Sequence, residues 1–136
     1  MIVFDLGPGD PPPGRELAFS IGEQGQVLAW YKPCGGPNGV NEISLTSYRE
    51  EDSLWRVRST EFVNVEVFEI GAALPDFETV RQLGAELPRE RLVLGLERQK
   101  HFSPGEVFEV SKLKPGLWRN LNDYLTRDQF ASRDTC

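Results

Sequence analysis

The sequence predicts an α+β fold, a mainly antiparallel curved sheet of about seven or eight short strands packed by two helices, one of them C-terminal. Three observations predict it. Runs with alternating apolar residues follow one another through most of the chain. Short turn sequences join these runs, which favours antiparallel hairpins over parallel crossovers. Two later stretches carry apolar residues at helical spacing. At 136 residues the chain has the length of one domain, residues 1–136.

Strands are predicted through most of the first half of the chain. The strongest is 61–70, in which Val63, Val65 and Val67 share one side and polar and aromatic residues share the other. Two mixed faces are typical of a strand that is partly covered on both sides. The other predicted strands of this half are 2–4, 16–22, 26–32, 41–48 and 53–59.

The period changes after residue 70. Segment 74–84 places Phe77, Val80 and Leu83 at helical spacing, with a proline near its start and a glycine at its end, so a short helix is predicted there. Alternation returns in the two predicted strands 91–97 and 106–113, although the first of these segments also fits a helix. The second predicted helix has one apolar stripe and runs through 117–130.

The acidic balance of the chain limits its partners. It has 15 Lys and Arg against 21 Asp and Glu, a net charge of −6. Residues 1–85 hold 13 acids and 6 bases, whereas residues 86–136 hold 8 acids and 9 bases. Because such a surface repels phosphate backbones, nucleic-acid binding is not expected.

One set of residues nevertheless has the composition of a surface that binds single-stranded nucleic acid. Two predicted strands carry aromatic and basic residues, namely Trp30, Tyr31, Lys32, Trp55, Arg56 and Arg58. Trp55, however, alternates away from the arginines on either side of it. Packing in the core is therefore the favoured role for the tryptophans.

The most motif-like stretch is the loop KPCGGPNGVNEI, residues 32–43. A phosphate-binding loop needs Lys and then Ser or Thr after its last glycine, and Val40 stands there instead. We interpret the stretch as a turn between strands. A reactive thiol at Cys34 would need a base, and the only histidine is His101. A small enzyme or ligand-binding domain with a pocket near Cys34 and His101 is thus one alternative.

Metal and cofactor sites are not predicted. One histidine and two distant cysteines do not make a zinc site, and no calcium-loop pattern is present. The N-terminal stretch has no basic region followed by an apolar run of signal-peptide length. No segment approaches the ~20 apolar residues of a membrane span. With only two cysteines, these features predict a cytoplasmic protein without membrane contact.

The acidity is concentrated in a predicted region of strands and turns, residues 42–69. We hypothesise that this region binds a basic partner protein, with an exposed aromatic residue as its anchor. The predicted partner-binding residues are Glu42, Tyr48, Glu50, Glu51, Asp52, Trp55, Glu61, Glu66 and Glu69.

A non-enzymatic role follows from this hypothesis. Small size, acidity and the lack of catalytic motifs resemble the profile of bacterial immunity proteins, which implies an inhibitor that occludes a basic toxin or nuclease. A second alternative is a subunit of a larger assembly that docks through the weakly basic segment 86–136.

Overall fold

A computed structural model describes residues 15–35, 39–48, 52–84, 86–98 and 105–136. The strand predicted at residues 2–4 lies outside the described residues, as do Glu50, Glu51 and His101.

Ten strands and one short α-helix make up the described structure. The strands are β1 (Leu17–Ile21), β2 (Val27–Tyr31), β3 (Gly39–Ser47), β4 (Ser53–Asn64), β5 (Val67–Glu69), β6 (Glu78–Arg81), β7 (Arg91–Arg98), β8 (Glu106–Glu109), β9 (Trp118–Asn120) and β10 (Asp123–Leu125). A single 3₁₀ turn, Val110–Lys112, follows β8, and the helix α1 is Arg127–Ser132.

The strands form two five-stranded sheets. The first sheet has the order β10-β9-β1-β2-β5, and the second has the order β6-β4-β3-β7-β8. Every pair of neighbouring strands is antiparallel. Because β4 belongs to the second sheet and β5 to the first, the chain crosses from one sheet to the other directly after β4.

The inner faces of the two sheets share one hydrophobic core. Alternate residues of each strand point inward, as the two-residue period of a strand requires. Ile43 and Leu45 of β3 therefore lie beside Leu94 of β7, and all three are fully buried. Across the layers, the rings of Phe19 and Phe108 stack with centroids 4.2 Å apart. The core thus lies between two layers of strands.

The predicted fold class is wrong, because two sheets and one short helix replace a single curved sheet packed by two helices. The helix predicted at 74–84 is instead a turn followed by β6, which pairs with β4. Asp76 takes the left-handed φ of 67° in that turn. Phe77 and Leu83 pack against the core from extended chain. The three-residue spacing correctly predicted that Phe77 and Leu83 face the core, but it did not predict that the backbone is extended.

The helix predicted at 117–130 is also wrong over most of its length. Residues 118–125 form the β9–β10 hairpin, in which Trp118 pairs with Leu125. Leu121 at its tip has a φ of 58°, a left-handed conformation that interrupts any helix. Only the last turns are helical, as α1.

Helix α1 covers part of the outer face of the first sheet. Phe130 is fully buried and packs edge-on against Trp30, with ring centroids 4.8 Å apart. A capping box formed by Thr126 and Gln129 begins the helix. At its other end, the Lys32 ammonium donates to the carbonyls of Phe130, Ala131 and Arg133 at 2.9, 2.6 and 2.6 Å. These contacts fix the C-terminal segment on β2.

Candidate partner-binding surface

An irregular pairing between β3 and β4 shapes one end of the molecule. Val40 pairs with Val63 and Glu42 pairs with Arg58, so Asn41 alone lies opposite the four residues 59–62. Extra residues of this kind bend a strand out of the regular sheet. Glu61 is exposed within the extra segment, and the side chain of Phe62 beside it is 44% exposed.

A cleft lies where the chain crosses between the sheets. It has a volume of about 380 Å³ and is lined by residues 63–69 and 74–77, and we call it the β4–β5 cleft. Val65 and Phe68 in its lining are buried, whereas Val67 is 48% exposed. The cleft therefore presents apolar surface that solvent can reach.

The charges of the β4–β5 cleft all have one sign. Glu66, Glu69 and Asp76 are exposed members of its lining, and no Lys or Arg is found among the described lining residues. Asp76 takes a left-handed φ in the turn that contributes residues 74–77 to the same lining as the two glutamates. A lining with both acidic and apolar residues suits a cationic side chain with an aliphatic stem, because the stem can be buried while the charge stays at the rim.

The structure separates the predicted partner-binding residues into groups. Glu66 and Glu69 lie in the β4–β5 cleft, and Glu61 is on the irregular segment just before it. Glu42 is on the outer face of the second sheet, where its carboxylate accepts from Arg58 Nε and Nη2 at 3.0 and 2.9 Å. The described members of the acidic set predicted from 42–69 therefore do not form one continuous surface.

Tyr48 lies beyond the last residue of β3, and Asp52 lies just before β4. Tyr48 is 58% exposed, and the Arg91 guanidinium is 5.8 Å from its ring centroid. A cavity of about 590 Å³ there is lined by Tyr48, Glu90, Arg91 and Glu109. Arg91 forms an ion pair with Glu109 at 3.3 Å, so the charges of this site are partly balanced.

Trp55 is not an exposed anchor, contrary to expectation. It is 1% exposed in the core, and its indole N–H donates to the carbonyl of Ala72 at 3.2 Å. The alternation of β4 places it on the face opposite Arg56, which is the inner face. Trp55 therefore takes no part in a partner-binding surface.

Cys34 is not a free thiol, because it forms a disulfide with Cys136. The proposed Cys34 nucleophile therefore has no support in this structure, and the cysteine count no longer argues for a reducing compartment. The backbone N–H of Cys34 donates to Glu16 Oε2 at 2.7 Å.

The other oxygen of Glu16 joins a buried polar network that sequence patterns did not indicate. Arg98 Nη1 in the second sheet donates to Glu16 Oε1 at 2.7 Å and to the Tyr31 hydroxyl of the first sheet at 3.3 Å. Burial raises the pKa of Tyr31 above its ordinary value, Arg98 opposes the rise, and Glu16 adds to it. The network ties the two sheets together at this end.

Alkaline pH is expected to weaken the fold through Tyr31. A raised pKa means that the folded state holds the phenol proton more tightly, so this contribution to stability is complete below the ordinary pKa of 10.0 and is lost as pH rises through the folded-state pKa. In urea unfolding, the free energy of unfolding of the Tyr31→Phe variant should fall less at alkaline pH than that of the wild type. Tyr48→Phe, at an exposed site, is the matched control, and its free energy of unfolding should fall as much as that of the wild type. An equal loss in all three proteins would contradict the assignment.

Metal binding and membrane spanning find no support in the described part of the chain. Its His, Cys, Asp and Glu side chains form no group of three suited to holding a metal ion. None of its helices is long and apolar enough to cross a membrane.

No protein family, curated protein or solved structure matches the chain. The functional argument therefore rests on the geometry of the sites themselves.

Sequence reasoning found two of the three carboxylates of the β4–β5 cleft and missed Asp76. The available signal was the Pro75-Asp76 pair, a turn sequence that was assigned to the start of a helix. The disulfide and the contacts of Arg98 join residues far apart in the chain, and no local pattern indicates them.

Proposed function

We propose that this protein binds a basic partner protein through the β4–β5 cleft. The observation that carries the proposal is a solvent-accessible apolar cleft whose described lining includes Glu66, Glu69 and Asp76 but no basic residue. The complementary group is a Lys or Arg side chain of the partner. Its methylene stem contacts Val67 and Phe77, and its charge lies among the carboxylates.

Inhibition is the more specific form of this proposal. Basic enzymes such as nucleases use Lys and Arg to bind anionic substrates, so a protein that captures one of these side chains also covers the active site. The net charge of −6 favours rapid encounter with a cationic partner. The exposed Phe62, on the irregular segment of β4, supplies apolar contact area next to the cleft.

A small cation tests the recognition chemistry directly. n-Butylguanidinium has the stem and the charge of an arginine side chain, and guanidinium has only the charge. In an NMR titration, n-butylguanidinium is expected to shift the backbone amide resonances of residues 65–69, 74, 76 and 77. Guanidinium at the same ionic strength is expected to shift them less. Equal shifts from both cations, or shifts spread over the whole surface, would reject the cleft as a side-chain site.

Charge-removing variants test the same site with a protein partner. The variant Glu66→Gln/Glu69→Gln/Asp76→Asn removes the cleft charges, and asparagine tolerates the left-handed φ at residue 76. The control Glu23→Gln/Glu86→Gln/Glu97→Gln removes three exposed charges elsewhere. A partner captured from the native host should be basic, be displaced by salt and lose at least ~10-fold in affinity with the cleft variant only, since close interfacial charge pairs couple by about 1.5–7 kcal/mol.

Two outcomes separate the parts of this proposal. If the partner binds both variants equally, the cleft is not the interface. If the partner is an enzyme whose activity is unchanged in the complex, binding stands and inhibition does not.

Three alternatives to this proposal have tests of their own. A pocket at Cys34 and His101 is not supported as a thiol site, because Cys34 is disulfide-bonded. A role as a subunit of a larger assembly would appear in the capture experiment as a stoichiometric partner that is insensitive to salt. The cytoplasmic location stays a prediction, and alkylation of Cys34 and Cys136 in protein from the native host would test it, because disulfides persist in oxidising compartments.

A further inference from the structure

We propose that the outer face of the second sheet binds a doubly charged oxyanion, such as a phosphate group, between Arg56 and Arg81. This inference is independent of the proposed function, since the two arginines are not part of the β4–β5 cleft. Arg56 of β4 and Arg81 of β6 are cross-strand partners. The register shifts directly after Arg56, yet the Cα atoms of Arg56 and Arg81 lie opposite each other, so two arginines occupy neighbouring strands at the same level.

The contrast with Arg58 shows what is unusual about the pair. Arg58 lies two residues after Arg56 in β4, and both of its donating nitrogens reach Glu42. Among the described residues, neither Arg56 nor Arg81 has an ion pair or a side-chain hydrogen bond. In a chain with 21 acidic and 15 basic residues, two adjacent arginines without a carboxylate are an exception to the balance of charges.

The guanidinium group of Arg56 is partly buried and lacks a hydrogen-bond acceptor for its Nε. This Nε is also inaccessible to solvent. Buried polar groups are normally paired, and a charged donor that has lost water without gaining an acceptor is costly. Because this Nε is closed to solvent, an oxyanion on this face would accept from the Nη donors of Arg56 and from Arg81, and it would reduce the repulsion between the two charges.

The neighbouring strands show which groups border the arginine pair. Ser44 of β3 pairs with Arg56 on one side and with Gly95 of β7 on the other. A Cβ at Gly95 would lie 3.1 Å from Ser44 Oγ, so this hydroxyl lies toward β7, on the side of β3 away from the arginines. The donors of the site are therefore the two guanidinium groups. In the neighbouring row of cross-strand pairs, Glu42 and Glu78 lie on either side of Arg58. The proposed anion site is therefore limited to the row that contains Arg56 and Arg81.

The two unpaired charges favour a dianion over a monoanion. A carboxylate would balance one guanidinium, whereas a phosphate dianion balances both and accepts bidentate hydrogen bonds. In NMR titrations at constant ionic strength, inorganic phosphate is expected to shift the resonances of residues 44, 56 and 81 and to saturate. Its affinity should exceed that of acetate by about tenfold or more, because phosphate makes charge-assisted hydrogen bonds to both guanidinium groups. Equal affinity for phosphate and acetate would overturn the proposal.

Three variants locate the site. Arg81→Gln changes an exposed residue of an edge strand and should preserve the fold while lowering phosphate affinity by about tenfold, or ~1.4 kcal/mol. Arg56→Lys keeps the charge but lacks the planar pair of Nη donors, so it should weaken binding similarly. Arg89→Gln, an exposed control away from the pair, should bind like the wild type. Unchanged binding in Arg81→Gln, or equal weakening in Arg89→Gln, would show that the arginine pair is not the site.

Discussion

Replacing Cys136 with serine is expected to lower the free energy of unfolding by about 2–5 kcal/mol. The disulfide to Cys34 closes a loop with a sequence separation of 102 residues, and a crosslink over so long a loop removes much of the conformational freedom of the unfolded chain. In the folded state it also holds the chain end beside Lys32, which caps α1.

Urea unfolding followed by tryptophan fluorescence measures this effect. Wild-type protein with dithiothreitol should match Cys136→Ser, and dithiothreitol should leave the Cys136→Ser and Cys34→Ser variants unchanged. A wild-type unfolding midpoint that does not respond to dithiothreitol would mean that the disulfide does not stabilise the fold.

Replacing Arg98 with methionine is expected to cost about 3–5 kcal/mol. The Glu16 and Arg98 side chains of this ion pair are only 14% and 15% exposed. Methionine keeps much of the apolar stem but removes the positive charge. The Glu16 carboxylate, which folding has removed from water, then keeps the Cys34 N–H as its hydrogen-bond donor among the described residues. The loss of the bond to Tyr31 also removes a direct polar link between the two sheets.

A double-mutant cycle separates the ion pair from the burial of its members. Glu16→Gln/Arg98→Met should be less destabilised than the sum of the two single variants, because no charge is left buried without a partner. Arg91→Met is the matched control, since it removes an exposed arginine paired with Glu109, and surface pairs contribute about 0–1 kcal/mol. Additive single effects would show that Glu16 and Arg98 act independently.

Alternating apolar and polar residues predicted strands well where a strand lies inside a sheet, with a paired strand on each side. In β7, Leu92, Leu94 and Leu96 are all buried, and the predicted strand 91–97 differs by one residue from the observed Arg91–Arg98. The same alternation set Trp55 apart from Arg56, which already indicated a buried tryptophan. The search for an aromatic anchor gave the wrong expectation for that residue.

Local spacing failed at the sheet edges and in the late hairpin. Phe77, Val80 and Leu83 have helical spacing, yet pairing with β4 makes Glu78–Arg81 a strand and leaves Val80 48% exposed. Tertiary pairing decides such segments, and one sequence does not reveal it. The candidate site shows the same limit. Glu66 and Glu69 lie together in sequence, but Asp76 reaches them only because the chain crosses between sheets.

The disulfide divides the chain into a covalent ring and an open arm. Strands β3 to β10 and α1 lie between Cys34 and Cys136, whereas β1 and β2 precede the ring. A protease that cuts once between the two cysteines therefore leaves both fragments linked until the disulfide is reduced. A cut between β2 and Cys34 instead removes the covalent link to β1 and β2, which core packing, hydrogen bonds and the Glu16–Arg98 ion pair then retain. Non-reducing gels after limited proteolysis would distinguish the two kinds of cleavage.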